Sequence, residues 1–312
     1  MRPTIACVFA GVLLAGTAAC SRSTAQGSRT WSVLFGPIAA NELIVGRTAL
    51  GRQIWIATDS NALIHVEIDS RQFTRSTVTG LLPGERIWGL AQAAGSLWTL
   101  AGRHTLARVD QGGAVLERRE LSAPHMGLYS NGRQLIYQVA NVQPPADAFM
   151  AGPPGDSGRT VWGNITTRAM PLVRGAVAAL NLVSCGPPGG LEVPCWFPDS
   201  SSVALTDRSG RSVQLAIENV PAVAPEVLLA SQNPQRPIRD AVVTTRGGLW
   251  VLASAEGPAD ERPGGRQLIQ FDSERRETGR LALPEPARLI LRAADRSAVL
   301  LAWDGRVVEV RP

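Results

Sequence analysis

Imidazole, thiol and guanidinium groups are the chemistry this chain carries in distinctive numbers: three His, four Cys, and basic residues that are all Arg. His65, His104 and His125 stand far apart, and no two occur at the H-x-H or H-x-x-x-H spacing that turns two imidazoles onto one face of a strand or helix. His65 and Glu67 alternate about Val66, so on a strand they share a face, as a polar outer face does. Cys185 and Cys195 lack a second Cys pair or a nearby His, which argues against zinc. No phosphate-cradling G-x-x-x-x-G-K-[ST], no dinucleotide G-x-G-x-x-G and no EF-hand loop occurs. Neither a metal nor a cofactor is expected.

The N-terminus is built for export. Arg2 gives a positive start, residues 5–16 (IACVFAGVLLAG) form an apolar run too short for an ordinary membrane span, and Thr17-Ala18-Ala19 suit a cleavage site. Cys20 follows at once. The segment Gly16-Thr17-Ala18-Ala19-Cys20 resembles the lipobox of bacterial lipoproteins, which implies that Cys20 is acylated and becomes the new N-terminus. The match departs at Thr17, where the lipobox has an aliphatic residue, so the alternative is plain cleavage and a secreted soluble protein. Cys7 leaves with the signal. In an oxidising compartment Cys185 and Cys195, bracketing GPPGGLEVP, read as a local disulfide. Residues 1–19 are thus the signal, and 20–30 the lipidated Cys with a small, polar, flexible tether. The domain is expected to face the periplasm or the cell surface, touching the membrane through its anchor only.

Composition fits one folded globular domain over residues 31–312, with 45% hydrophobic and 18% charged residues, unlike the low hydrophobicity of a disordered chain. The Arg residues are scattered, with no cluster beyond pairs such as Arg118-Arg119. A nucleic-acid surface wants a basic stripe with interleaved aromatics, so no nucleic-acid partner is expected.

The elements that must position these groups are strands. Runs of four to eight residues rich in β-branched and aromatic types recur, among them 53–57 (QIWIA), 62–68 (ALIHVEI), 96–101 (SLWTLA), 249–253 (LWVLA) and 298–303 (AVLLAW). They are broken by turns such as Asn131-Gly132, Gly247-Gly248 and Asp304-Gly305. The runs repeat. Trp55 leads to Asp69, Trp98 to Asp110, Trp196 to Asp207 and Trp250 to Asp272, with Tyr137 and Leu301 at degenerate equivalents. The mean spacing, about 49 residues, is that of propeller blades. This pattern resembles the six-bladed β-propeller lipoproteins and the wider NHL-like and lactonase-like propeller group. The expected fold is all-β, a single propeller of six blades, each of four antiparallel strands. The last strand, 306–310, calls for an N-terminal strand at 31–35 or 43–45 to complete its blade. Three segments interrupt the repeat: 141–159, 254–266 and the Cys185–Cys195 loop. The first two are expected between the second and third strands of their blades, and the resemblance implies that such loops lie on the ligand-binding face.

Inner propeller strands line a central channel. Their expected starts place Arg86, His125, Arg239, Asp240 and Arg288 near one mouth, and an Arg fork suits carboxylate, phosphate or sulfate. Lactonase-type propellers hold calcium with Glu, Asn and Asp, for which Glu42, Asn181 and Asp240 are the residues near inner strands. Gly155-Asp156-Ser157-Gly158 resembles the nucleophile segment of chymotrypsin-like proteases, but no His stands in that family's context, and a Ser nucleophile needs a positioned base. Asp207-Arg208-Ser209-Gly210 resembles the sialidase Asp-box without its Trp and reads as a hairpin turn. The expected function is a non-catalytic, envelope-tethered module that binds an envelope protein or a small anionic ligand, an assembly factor being one form of it. The alternative is a lactonase-like or lyase-like enzyme acting on a small anionic substrate. With an alkyne fatty acid fed to the cells, the wild type should take up label and sediment with membranes. Cys20→Ser should lose both properties; an unlabelled, soluble wild type would return the secreted reading.

Overall fold

The computed structural model describes residues 30–102, 104–121, 125–130, 135–139, 146–152, 159–166, 170–171, 177–178, 184–187, 189, 192–196, 200–207, 211–220, 222, 236–254 and 264–311. The signal, Cys20, its tether, the 155–158 segment and Asn181 lie outside the described residues. Among the described residues every regular element is a β-strand.

Strand β1 (Thr30–Phe35) finds its partner only at the end of the chain. After it come antiparallel meanders: β2 (Ile44–Leu50), β3 (Gln53–Thr58), β4 (Ala62–Glu67) and β5 (Gln72–Thr77); then β6 (Ile87–Ala93), β7 (Ser96–Ala101), β8 (Thr105–Val109) and β9 (Val115–Glu120). A third holds β10 (His125–Ser130), β11 (Leu135–Val139), β12 (Ala146–Gly152) and β13 (Arg159–Thr166). A short pair, β14 (Met170–Pro171) and β15 (Val177–Ala178), precedes a fourth meander of β16 (Ser184–Cys185), β17 (Glu192–Trp196), β18 (Ser202–Asp207) and β19 (Ser212–Ala216). The chain ends in a seven-stranded sheet that runs β20 (Ile238–Val243), β21 (Leu249–Ala253), β22 (Gly265–Phe271), β23 (Glu277–Ala294), β24 (Ser297–Ala302), β25 (Val307–Arg311) and back to β1.

Strand β23 serves two neighbours in turn. Its first part, from Glu277 to Ala282, pairs with β22, and its second, from Ala287 to Ala294, pairs with β24. Pro284 and Pro286 lie between and have no N–H to give a ladder, so the strand can change partners there. β1 lies antiparallel on β25, from Thr30 opposite Arg311 to Phe35 opposite Val307. The N-terminal strand called for at 31–35 therefore completes the last sheet, and the two ends of the described chain close one another.

The periodic aromatics have a common address. Trp55, Trp98, Tyr137, Trp196, Trp250 and Leu301 all sit on the second strand of their meander. Three of the four recurring Asp cap the next hairpin, whereas Asp69 accepts from Arg52 Nε. Oδ1 of Asp110, Asp207 and Asp272 accepts a backbone N–H from the residue four further on, Ala114, Arg211 and Arg276. Each aspartate's own N–H donates to that same residue's carbonyl, so the turn is tied twice. Asp207 thus ties the end of β18 to the start of β19, while Arg208, Ser209 and Gly210 lie outside the described residues. The segment 254–266 does separate the second and third strands, β21 and β22. The segment 141–159 is only partly such an insertion, because β12 lies within it.

Alternate side chains of a buried strand such as β3 face opposite neighbours, so the core is a series of layers between sheets. Ile54 and Ile56 pack with Val299, Leu301 and Val307 of the closing sheet. Trp55 and Ala57, turned the other way, pack with Ile87, Leu90 and Leu97. Strand β5 is outermost and largely exposed, whereas β3 is buried from Ile54 to Thr58. Near the axis the sheets come closest. A Cβ added to Gly46 would collide with the backbone N of Leu90, and one on Gly89 would meet Leu128 Cβ at 2.9 Å. Gly46→Ala should therefore lower stability by about 1–3 kcal/mol, the range for overpacking against atoms that cannot yield. Gly36→Ala, with nothing within 4 Å of the added carbon, should change little. Equal urea midpoints for the two variants would mean that the inner strands are not in contact.

Candidate functional site

Each described inner strand of any length enters the channel wall through a β-bulge. The register slips between Ile44 and Gly46, Ile87 and Gly89, His125 and Gly127, Ile238 and Asp240, and Ala287 and Leu289. The extra residues are Val45, Trp88, Met126, Arg239 and Arg288. Bulges re-aim side chains and sit where strands end at a rim, so these positions form one tier at one mouth. The position after the bulge is Gly at 46, 89 and 127 and Leu at 289. Gly46 and Gly89 abut the next inner strand, and Gly186 on the fourth meander likewise abuts its neighbour, its missing Cβ being filled by the carbonyl of Ala241.

Asp240 occupies the glycine position on β20 and uses the space differently. Its Oδ2 accepts the N–H of Ile290 on the neighbouring inner strand at 2.6 Å, and Oδ1 accepts from Ala241 N at 3.0 Å. Oδ1 also meets Arg47 Nη2 at 2.7 Å, with side chains only 14% (Arg47) and 5% (Asp240) exposed. Burial pushes the Asp240 carboxyl up, against the pull of Arg47 and the two amides. Arg47 belongs to β2, Asp240 to β20 and Ile290 to β23. The ion pair thus spans the inner strand of the sheet that β1 closes.

Tyr129 on β10 completes the cluster. Its hydroxyl donates to the Cys185 carbonyl at 3.2 Å. Burial, with a smaller contribution from Asp240, pushes the phenol up to about 12 against the opposing effect of Arg47. The residue as a whole is half-buried, with part of it lining the channel. A cavity of about 140 Å³ adjoins the cluster, lined by Val45, Gly46, Trp88, Tyr129 and Pro187 among others. Cys185 lies directly opposite Cys195 on β17 and is joined to it by a disulfide, which fixes the carbonyl that Tyr129 uses.

The structure places all five expected mouth residues at the same end of the inner strands, with different fates. Arg86 is exposed and immediately precedes β6, its carbonyl accepting from Gly102 N at 2.8 Å. His125 opens β10 opposite Val139. Arg288 is bound to backbone: Nη1 donates to Ala39 O at 2.8 Å, Nη2 donates to Glu42 O, and the guanidinium lies 6.0 Å from the Trp303 ring. Asp240 is turned to Arg47. Arg239 is half-buried, and its Nε and Nη2 are buried without a hydrogen-bond partner. Burial, and next to it the charge of Arg236, hold Arg239 down to about 10. Arg47, Tyr129 and Trp88 are the site residues that sequence reasoning missed. The repeated apolar-x-Gly at Ile44-Val45-Gly46 and Ile87-Trp88-Gly89 was the signal that could have found them.

The calcium set does not assemble from its described members. Glu42 accepts from Arg75 Nη2 at 2.6 Å and from Thr58 and Ser60, and Arg75 chiefly holds its carboxyl down to about 2. Glu42 and Asp240 each have their own Arg, and among the described residues no three His, Cys, Asp or Glu side chains converge. His65 is not part of a simple polar outer face. It stacks on its cross-strand partner Trp55, ring centroids 4.0 Å apart, and burial lowers its pKa against the opposing charge of Glu67.

No protein-family model and no curated protein matches the sequence. Solved structures do match along nearly the whole chain. The WD40 β-propeller domain of Doa1 aligns with a TM-score of 0.54 and 8% identity, over 90% of this chain and 96% of that one. The fold is a β-propeller. Regucalcin, a calcium-binding protein from Agrobacterium tumefaciens str. C58, aligns at 0.52 with 12% identity over 90% of this chain and 93% of its own. A streptogramin B lyase aligns at 0.50 with 11% identity over 91% and 97%. At such identities the propeller architecture is what is shared.

Asp240→Leu should cost about 3–5 kcal/mol, because it strands Arg47 as a buried, uncompensated charge. Adding Arg47→Met should recover part of that loss, leaving about 1–3 kcal/mol for the Ile290 N–H without an acceptor. A double variant no more stable than Asp240→Leu would show that the two side chains do not act as a pair.

Proposed function

We propose that the chain is an exported lipoprotein whose propeller, of six four-stranded blades, binds an envelope protein or a small ligand at its bulged mouth and performs no chemistry of its own. The blade count is supported by the four four-stranded sheets and by the seven-stranded sheet, which divides at β23 into four strands on each side when β23 is counted for both. The lipoprotein reading rests on the sequence around Cys20.

One observation carries the binding reading: Trp88, a bulge residue beside the central cavity, is 42% exposed. A rigid aromatic held at a concave rim offers large contact area with little rotamer entropy to lose. Leu43, just before β2, and Leu82, on the connection into β6, extend the exposed apolar surface at that end. The polar groups at the mouth favour binding over turnover. Asp240 has both oxygens engaged and Arg288 is bound to carbonyls. A general acid or base must be free to exchange a proton with substrate. Propellers serve binding and catalysis alike, as a calcium-binding protein and a lyase of this fold attest, so the site and not the fold carries the reading.

A photo-cross-linking residue placed at position 88 in intact cells should yield one discrete adduct, purified and identified by mass spectrometry. The same probe at Leu116, exposed on the outer strand β9, should not. No adduct from position 88, together with metal co-purifying in whole-number stoichiometry, would replace the binding module with the enzyme reading.

A further inference from the structure

The bulged mouth has an opposite face, and the described chain enters the fold there. Strand β1 begins at Thr30, which lies opposite Arg311, the last residue of β25. Arg311 Nη2 meets Glu309 at 3.0 Å, and Glu309 stands 3.8 Å from Arg52 Nη1 in the β2–β3 hairpin. Arg52 Nε also donates to Asp69 in the β4–β5 hairpin. Both hairpins stand at the ends of their strands away from the bulge at Val45. Thr30 is therefore at the far end of the closing sheet, and Phe35, opposite Val307, is at the mouth end.

Residues 20–29 link Cys20 to Thr30. A polar chain of that length and composition has a relaxed span of about 17 Å. The inner strand β2, seven residues long, sets the height of the wall at about 20 Å. To turn the mouth towards a bilayer that holds Cys20, the link would have to cover that height and the rim beyond it, which exceeds its relaxed span and costs chain entropy. With the far face towards the bilayer no such stretch is needed.

Exposed apolar side chains occur at both ends, so the anchor and not the apolar surface decides between them: Leu43, Leu82 and Trp88 stand at the mouth. On the far side such side chains recur in one slot. Phe73, Leu116 and Val213 are the second residues of the outer strands β5, β9 and β19, one step past the hairpin on that side, and all three are exposed. Leu50, exposed at the end of β2, joins them. Arg and acidic residues pair on the same side: Arg52 with Asp69, Arg246 with Asp295 at 3.0 Å and Arg276 with Asp272 at 3.0 Å. An apolar rim with its charges paired in this way suits the headgroup boundary of a bilayer and does not call for anionic lipid, which basic clusters recognise. We infer that the face opposite the mouth rests on the membrane, held by acylated Cys20 and by this apolar rim, and that the mouth opens into the aqueous space, where its partner must be met.

The inference rests on the lipoprotein reading of Cys20 and adds the direction in which the mouth looks. The test uses the full mature protein, acyl chains in place, reconstituted into phosphatidylcholine vesicles that carry a nitroxide on the headgroup. With Cys20 acylated and Cys185 joined to Cys195, a thiol introduced by Leu50→Cys, Leu116→Cys or Leu82→Cys takes a fluorophore alone, and each of these sites is exposed. Fluorophores at 50 and 116 should lose most of their emission to the nitroxide, and the one at 82 should keep it. Adding phosphatidylglycerol should change neither result. Leu116→Ser combined with Val213→Ser should weaken the quenching at position 50 while the acyl chains keep the protein on the vesicles; unchanged quenching would remove the apolar rim from the assignment. Equal quenching at the two faces, or stronger quenching at 82, in acylated protein would overturn the orientation and leave the lipoprotein and binding readings standing. A mature protein that carries no acyl chain by mass spectrometry and stays in solution would remove the anchor, and this orientation with it.

Discussion

Neighbouring inner strands in this molecule approach until backbone touches backbone. At Gly46 and Gly186 the next strand occupies the place a Cβ would take. That proximity sets the width of the channel, and with it where every other side chain at the mouth can go. A β-bulge precedes the contact on each longer inner strand and turns one residue out of the ladder. On β2 and β6 one position is thus held against a neighbour and must be small, while the position before it is presented at the rim and is free to vary. Structure and recognition are separated by a single residue of register.

Two described inner strands depart from the small residue, β20 with Asp240 and β23 with Leu289, and the surroundings of Asp240 explain how it is tolerated. A carboxylate can replace the missing packing only if its oxygens are satisfied, and here they take two backbone amides and Arg47. Buried ion pairs add little net stability, because desolvation consumes most of the attraction. Their better-attested use is to specify one arrangement over others. The pair links β2 to β20 across β23, the inner strand of the sheet that the N-terminal β1 completes. A ring closed by its own terminus can be closed in the wrong register. A buried charge that is satisfied in one register only penalises the others.

Much of the fold was legible because its signals are local. Trp55, Trp98, Trp196 and Trp250 mark second strands, since a large apolar side chain is needed where a strand is covered on both faces. Asp110, Asp207 and Asp272 mark the following hairpins because a side-chain oxygen there caps a turn four residues long. The site was less legible because its partnerships are not local. Arg47 and Asp240 are 193 residues apart, and nothing in the sequence around either names the other. Adjacent residues Arg239 and Asp240 are both expected near the mouth from the sequence. A bulge sends the second into the wall and leaves the first at the rim, and register at that level is set by tertiary packing.

Repetition makes the departures interpretable. In a chain of near-equivalent strands, a residue that differs from its counterparts is either repaired by its surroundings or left unrepaired. Asp240 is repaired by Arg47 and Ile290, and Arg288 by the carbonyls of Ala39 and Glu42, so both are accounted for by the fold alone. Trp88 is exposed at the rim where packing alone would favour burial, and Arg239 keeps donors that nothing among the described residues satisfies. A fold that supplied acceptors to one bulge Arg and withheld them from its structural equivalent leaves the second with buried, uncompensated donors, a cost that the repeat itself does not require.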